Sequence, residues 1–415
     1  MRWLISISFI LVLYFFYGFY ISQFEIHIID RSPPGAEGNS ANLPINESLP
    51  DSIPSYEYRG VLNVLSQLSQ GSESIPYIMS DAQNAGIDFV LMTDLNLFHL
   101  PKSSESNMTG PMALIGGKYN YLDSRLLHYA PRVESLGESM GEVQVALADM
   151  LAKRAEATPD QLLILAHPFM KGYSWNGDLA PALDGFEVIN LRSMADQAFQ
   201  NSKASMLWSL MVYPFNSKLA MMRLFEEPFR ELQWFDQISQ QRKVLMFAGA
   251  EASAKSFPFT NYQLKFPSYQ RNFEIVSQHV LLKTELTGNM IGDRKKILSA
   301  LKAGNFYIAF DLLGNPKGFS ANMIQGNRIF PMGSELKYTD NLELKIQLPA
   351  RPTEFFEIIV FRNGERISTI NQESIRLPIK APGVYRIQVR VSPFWPLPDG
   401  KRWVSWIYSN PFWVK

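Results

Sequence analysis

The side chains able to do chemistry are few, and their types limit what that chemistry can be. The chain has no cysteine, which removes thiolate metal sites, cysteine nucleophiles and disulfides together. Its five histidines, His27, His99, His128, His167 and His279, are scattered through 415 residues, so a histidine-rich metal centre is hard to build from them. Any chemistry must therefore come from His, carboxylates, hydroxyls or Lys. Asp94 and His167 stand at the ends of apolar, strand-like runs, and the carboxyl ends of strands are where α/β folds bind ligands.

Each candidate also has a plain structural reading. His167, before Pro168, is a possible ligand, but a satisfied pocket histidine is the commoner case. Asp94 suits capping the following loop or helix as well as it suits catalysis. His27, His99 and His279 read as incidental, and no Ser/His/Asp arrangement stands out.

These residues need a scaffold, and from Tyr58 to about Phe310 strand-like and helical patterns alternate. Gly60–Leu65, Ile87–Thr93, Leu162–Ala166, Gly185–Asn190 and Val244–Ala248 read as strands. Helices are expected over Pro76–Ala85, Gly141–Glu156 and Pro228–Gln240. Repeated units of this kind imply a parallel sheet or barrel with functional groups at the strand ends. Between Ala204 and Phe225 lies an apolar insertion, read as a helical hairpin packed on the barrel or as a segment lying on a membrane surface. After about Asn305 the texture becomes antiparallel: Leu342–Leu348, Phe355–Phe361 and Tyr385–Val391 are strand-like, and Arg362-Asn363-Gly364-Glu365 is a hairpin turn.

Bulk composition narrows the classes further. Lys+Arg and Asp+Glu are 39 each, with no dense basic run, so the electrostatic footprint of a nucleic-acid binder is missing. Trp3–Ile21 is an uncharged run of 19 residues, close to the roughly 20 that a spanning helix needs. It ends in Tyr17-Gly18-Phe19-Tyr20-Ile21 without a small-residue cleavage site, which favours an uncleaved signal anchor. Arg2 precedes it, and between Gln23 and Glu57 one basic residue, Arg31, faces six acidic ones, so the positive-inside rule leaves the bulk of the chain extracytoplasmic. Arg31–Ser55, with five Pro and five Ser, suits a tether.

The order of segments resembles the PHP (polymerase and histidinol phosphatase) family over about 250 residues. Family members open with a strand bearing His-x-His, then Ser-Asp-Gly, a helix, and a strand ending Thr-Asp-His. Here Asn63 and Leu65 stand where the paired histidines belong, Gln70 replaces the Asp, and Leu95 follows Thr93-Asp94 in place of the third His. The family's Gly-x-Glu, whose carboxylate bridges metals, reads Gly116-Gly117-Lys118. His167-Pro168 is retained, Gly185–Asn190 resembles the next strand, and Gly-x-Asp-x-His becomes Gly249-Ala250-Glu251-Ala252-Ser253. The resemblance thereby implies a candidate pocket of Asn63, Asp94, Lys118, His167, Glu251 and Ser253, in which the Lys118 ammonium occupies the space left by a metal and neutralises Glu251 or Asp94. Ala300–Phe310, Gly383–Arg386 and Trp406–Pro411 resemble the β-sandwich appended to secreted or anchored relatives.

The resemblance implies an α/β fold: a distorted PHP-like (β/α)7 barrel, a C-terminal antiparallel β-sandwich and an N-terminal transmembrane helix. The expected domains are a signal anchor over 1–24, a linker over 25–55, the barrel over 56–304 and the sandwich over 305–415. With ligands replaced, the expected protein is catalytically inactive, bears no metal, and binds a small-molecule ligand or an envelope protein outside a bacterial inner membrane, facing the periplasm. The alternative is a metal-dependent phosphoesterase with a single Zn, Mn or Fe ion on Asp94, His167 and Glu251.

Overall fold

The computed structural model of the chain describes residues 2–26, 28–29, 56–97, 110–133, 135–153, 161–254, 256–259, 262–265, 267–396 and 399–415. His27, His99 and the tether from residue 30 to 55 lie outside the described residues.

Seven strands close a barrel: β1 (Tyr56–Val64), β2 (Phe89–Leu95), β3 (Met112–Tyr121), β4 (Ser124–Tyr129), β5 (Leu162–Leu165), β6 (Gly185–Asn190) and β7 (Leu245–Ala252), with β7 pairing back onto β1. The architecture is therefore mixed α/β with a closed seven-stranded barrel and extra strands. All eight residues of β7 and all six of β6 are buried, which is why these segments are near-continuous apolar runs rather than alternating ones. Five of the seven pairings are parallel. The βα rhythm breaks at β3 and β4, which form an antiparallel hairpin across Leu122-Asp123, and β4 also runs antiparallel to β5.

Helices α2 (Ile75–Asn84), α3 (Met140–Leu151), α4 (Leu191–Asn201), α7 (Phe229–Ser239), α8 (Tyr269–Phe273) and α9 (Met290–Ala303) accompany the strands. The segment read as an apolar insertion folds as two helices, α5 (Lys203–Val212) and α6 (Ser217–Leu224). A ribbon of β8 (Ser256–Phe259) and β9 (Tyr262–Lys265) follows β7.

β1 is shared along its length. Tyr56–Gly60 pair antiparallel with β10 (Ser277–Leu282), while Leu62 and Val64 pair with β7. β10 then pairs with β11 (Phe306–Ala309), and β11 with β22 (Val404–Ser409). The barrel sheet thus continues into the C-terminal strands without a break. Beyond β22 come β19 (Gly383–Ser392), β23 (Phe412–Val414) and β14 (Glu335–Leu336), with β16 (Phe355–Arg362) and β17 (Glu365–Ile370) added at β19. A second sheet has the order β13 (Arg328–Pro331), β12 (Ser320–Gln325), β15 (Leu342–Gln347), β18 (Ser374–Pro378), all antiparallel. Along β15 buried and half-buried residues alternate, the period-2 pattern of a strand covered on one face. A short ribbon, β20 (Phe394–Trp395) with β21 (Gly400–Lys401), completes the set. The turn expected at Asn363-Gly364 joins β16 to β17, with both residues at positive φ.

The N-terminal run forms helix α1 (Arg2–Ser22), 21 residues long. Among the described residues no helix is long and apolar enough to cross a membrane. The C-terminal half of α1 packs on the α5–α6 hairpin. Tyr14 Oη donates to the Met211 carbonyl at 3.0 Å, Trp208 Nε1 donates to Tyr17 Oη at 2.8 Å, and Asn216 Nδ2 donates to the carbonyls of Ile21 and Phe24 at 3.2 and 2.7 Å. Gly18 permits the approach, because a Cβ there would stand 2.4 Å from the Phe215 ring.

His279 is not incidental. It lies fully buried on β10, with Nδ1 2.7 Å from Glu57 Oε1 and Nε2 3.0 Å from Asp311 Oδ1, and its ring stacks on Tyr307. Arg59 completes the cluster, 3.1 Å from Asp311. Burial alone would lower the His279 pKa, but the carboxylates of Asp311 and Glu57 outweigh it and raise it above the usual range. The acids come from β1 and the turn after β11, so the cluster ties three elements where the barrel sheet runs on into the C-terminal strands. Replacing His279 by Gln leaves two buried carboxylates without their shared cation and should cost about 3 kcal/mol or more of unfolding free energy. Urea denaturation measures this, and a loss typical of a surface pair, under about 1 kcal/mol, would contradict it.

Candidate functional site

The strand ends of β1, β3, β6 and β7 converge on one buried polar cluster. Lys118, on β3, has no solvent exposure; its Nζ donates to Glu251 Oε1 at 2.9 Å and to Asn63 Oδ1 at 3.1 Å. Asn63 sits at a register shift in β1, at φ 63°, and its Nδ2 donates to Glu187 Oε1 at 2.8 Å. The other Glu187 oxygen accepts from the His167 backbone N–H at 2.9 Å and from Asn190 Nδ2 at 2.7 Å. Asn190 Nδ2 also reaches Glu251 Oε2 at 3.0 Å, while its Oδ1 accepts from the Ser193 N–H and caps α4. The network is closed: each carboxylate oxygen of Glu187 and Glu251 has a donor.

The backbone is built around these contacts. Asn63, His167 and Glu251 all take positive φ, a conformation that costs L-residues free energy and concentrates at functional sites. Gly249, two residues before Glu251, is glycine because a Cβ there would stand 2.0 Å from Glu187 Oε1.

Cations outnumber the ion-paired acids. Arg125 and Arg192 lie 3.8 and 3.5 Å from Glu251 Oε1, and the Arg125 guanidinium also stacks 3.8 Å over the Tyr173 ring. His167 Nε2 is 3.9 Å from Glu251 Oε2. Among the described residues, Arg125 Nε and Nη1 and both His167 ring nitrogens have no hydrogen-bond partner. Arg192 is the member that borders solvent.

The charges follow from this packing. Burial raises the Glu251 carboxyl, but the Lys118 ammonium, with the Asn190 hydrogen bond, overrides it and holds Glu251 well below the usual carboxylate range. Glu187 moves the opposite way, up to about 7, through burial and then the charge of Glu251. His167 is pushed down to about 4 by burial, with Lys118 and Arg125 adding to the effect and Glu251 opposing it. The imidazole is therefore neutral at neutral pH.

Of the six residues read from the sequence, Asn63, Lys118, His167 and Glu251 come together. Asp94 instead accepts from the Ser66 N–H and Oγ at 2.7 and 2.6 Å and from Ser69 Oγ at 2.6 Å, holding the loop after β1. Lys118 therefore meets Glu251 and not Asp94. Ser253 contributes its carbonyl to Ser72 and Tyr269. Sequence reasoning missed Glu187, Asn190, Arg125 and Arg192. The signal for the first two was present, a Glu and an Asn within the otherwise apolar Gly185–Asn190 run. His128 is a core residue, 3.4 Å from Gln161 and lowered to about 4 by burial.

Among the described residues no three His, Cys, Asp or Glu side chains are grouped so that they could hold an ion. The space between Glu251 and Asn63 is spanned by an ammonium group, which satisfies the acid that a metal would need. A cavity of about 490 Å³ lies elsewhere, between the α6–α7 link and β22, lined by Phe225, Glu227, Phe310, Arg402 and Tyr408 among others.

No family model matches the chain, and no curated protein matches it. Solved structures to which it is similar include a two-domain protein from Bacteroides vulgatus containing a predicted PHP-like metal-dependent phosphoesterase. That likeness has 11% identity and a TM-score of 0.38, and covers 86% of this chain and 97% of the other. A candidate metal-dependent phosphoesterase from Bifidobacterium adolescentis has 12% identity and a TM-score of 0.28, with 50% of this chain and 92% of the other covered. Both likenesses are distant.

Lys118→Ala strands a buried carboxylate and should lower the unfolding free energy by about 3–5 kcal/mol. The double variant Lys118→Met with Glu251→Gln should recover most of that loss in the same denaturation assay; an unchanged melting temperature for the single variant would refute the ion-pair account.

His167 gives a pH signature. Its folded pKa is depressed below the unfolded 6.5, so the unfolded chain takes the proton first and stability is lost as pH falls from about 6.5 to 4. Between pH 7 and pH 4 the stability of the native chain relative to His167→Gln should fall by about 3 kcal/mol. A pH-independent difference between the two would show that the imidazole is not held neutral.

Proposed function

We propose that this chain is a membrane-attached, extracytoplasmic PHP-like protein that is not a phosphoesterase, and that its barrel acts by binding a ligand or a protein partner. The Lys118–Glu251 contact at 2.9 Å, wholly buried, carries this reading. Metal-assisted hydrolysis needs carboxylate and imidazole electron pairs converging on one point, and here the Lys118 ammonium already engages the Glu251 carboxylate. The unpartnered donors of Arg125 and His167, with Arg192 at the solvent border, suit an anionic ligand. Attachment is through α1, with the body of the chain facing the periplasm of a bacterial inner membrane, as the charge asymmetry about the helix favours.

A second reading has one observation in its favour. His167 keeps both ring nitrogens without a hydrogen-bond partner, beside Glu251, as the remnant of a mononuclear site would. In that reading a single Zn, Mn or Fe ion on His167 and Glu251, without Asp94, which holds the loop after β1, would support phosphoester hydrolysis.

Element analysis of the purified full chain after incubation with Zn, Mn and Fe separates the two. The expected outcome is metal far below one ion per chain, together with no hydrolysis of a generic phosphomonoester above the blank. Near-stoichiometric metal that is lost on changing His167 to Ala would replace this proposal with the enzyme reading.

A further inference from the structure

Helix α1 carries more apolar surface than the protein covers. Five consecutive residues, Phe9 to Leu13, are all exposed, Phe9 at 63%. At 100° per residue they sweep the whole circumference of the helix. Such a helix has no stable place in water. The apolar surface does not stop at α1. On α5, which packs beside it, Leu207 is 60% exposed and Leu210 50%, with Met211 also open to solvent. From Ala204 to Ser217 the hairpin carries no charge, whereas α6 turns Leu219–Met222 and Leu224 inward to the protein.

The contacts fix how far the hairpin reaches along α1. Asn216 meets the backbone at Ile21 and Phe24, level with the C-terminal end of the helix. Trp208 meets Tyr17, and Met211 meets Tyr14, while Phe215 packs edge-on against Tyr14 and Phe15. Tyr14 lies eight residues before Ser22, about 12 Å along the axis. The exposed face of α5 therefore stands beside the last 12 Å or so of α1, a depth close to the 5–10 Å at which interfacial helices bury their apolar face.

We propose that the α5–α6 hairpin is seated in the same lipid leaflet as the C-terminal half of α1, so that the bilayer covers Leu207, Leu210 and Met211. The occupant is lipid rather than a second copy because the face is continuous with the uncharged Trp3–Ile21 run of α1 and set at its level. The inference rests on the reading that α1 lies in a membrane, and its test separates the two.

The native chain has no cysteine, so single-cysteine variants label cleanly. Leu207→Cys, Leu210→Cys, Phe9→Cys and Tyr77→Cys in the full chain each receive an environment-sensitive fluorophore. Each is then reconstituted in phosphatidylcholine vesicles carrying a nitroxide on the acyl chain. Tyr77 is exposed on α2, which packs on α8 and β2, and serves as the aqueous reference. Labels at positions 9, 207 and 210 should lose fluorescence to the lipid-borne quencher, and the label at 77 should not. Quenching at 9 without quenching at 207 and 210 overturns the hairpin proposal and leaves the anchor standing. No quenching at 9 overturns both. A blue shift at 207 and 210 that the lipid quencher does not touch means protein covers the face, and also overturns the proposal.

Discussion

A carboxylate taken out of water has to find a cation or a proton, and at the mouth of this barrel two acids have solved the problem differently. Glu251 is held ionised by Lys118, whereas Glu187, next to an already charged neighbour, is driven toward its neutral form. One ammonium group thus holds Glu251 ionised and orients Asn63 between the two acids, while burial and the Glu251 charge push Glu187 up. The backbone conformations at Asn63, His167 and Glu251 make sense only with these partners in place, because each is strained by itself. A site assembled for divalent ions and a site assembled around a lysine share the same geometric demand, several strand ends brought to one point. They differ in what is left over: the first leaves electron pairs for a substrate-bound metal, and the second leaves N–H donors on Arg125 and His167.

How much of this was legible in the sequence depends on the range over which each feature is decided. β2, β5, β6 and β7 follow from runs of apolar residues buried on both faces, a property of adjacent positions, and the expected bounds lie within a few residues of those observed. The β3–β4 hairpin escaped because the Leu122-Asp123 turn lacks the Gly or Asn signals that mark such turns, although Leu122 adopts φ 50°. The site was half legible. Lys118 and Glu251 attract notice as charges at strand ends, but Arg125 and Arg192 enter only through barrel closure, which no local pattern reports. His279 was misread for the same reason, since its two acids sit 222 and 32 residues away along the chain.

The region from Asn190 to Phe225 shows how one short stretch can serve two neighbours. Asn190 ends β6, bridges Glu187 and Glu251, and caps α4, so the cluster and the helix that leaves it share a residue. α4 runs directly into α5, and α5 into α6, with Ser202 and Asn216 capping the joints. The stripe of Met, Leu and aromatic side chains in the sequence is therefore divided between a core-facing α6 and an outward α5, a division that periodicity alone does not resolve.

The sharing of β1 between β10 and β7 has a consequence for how the molecule is put together. β1 closes the barrel against β2 and β7, and its first half also carries β10, from which the sheet runs on to β11 and β22. Cutting the chain near residue 304 would strip Ser277–Val280 of their β11 partners and lay bare a row of peptide groups inside what had been a continuous sheet. The barrel and the C-terminal strands thus share one hydrogen-bonded sheet running from β1 through β10 and β11 to β22.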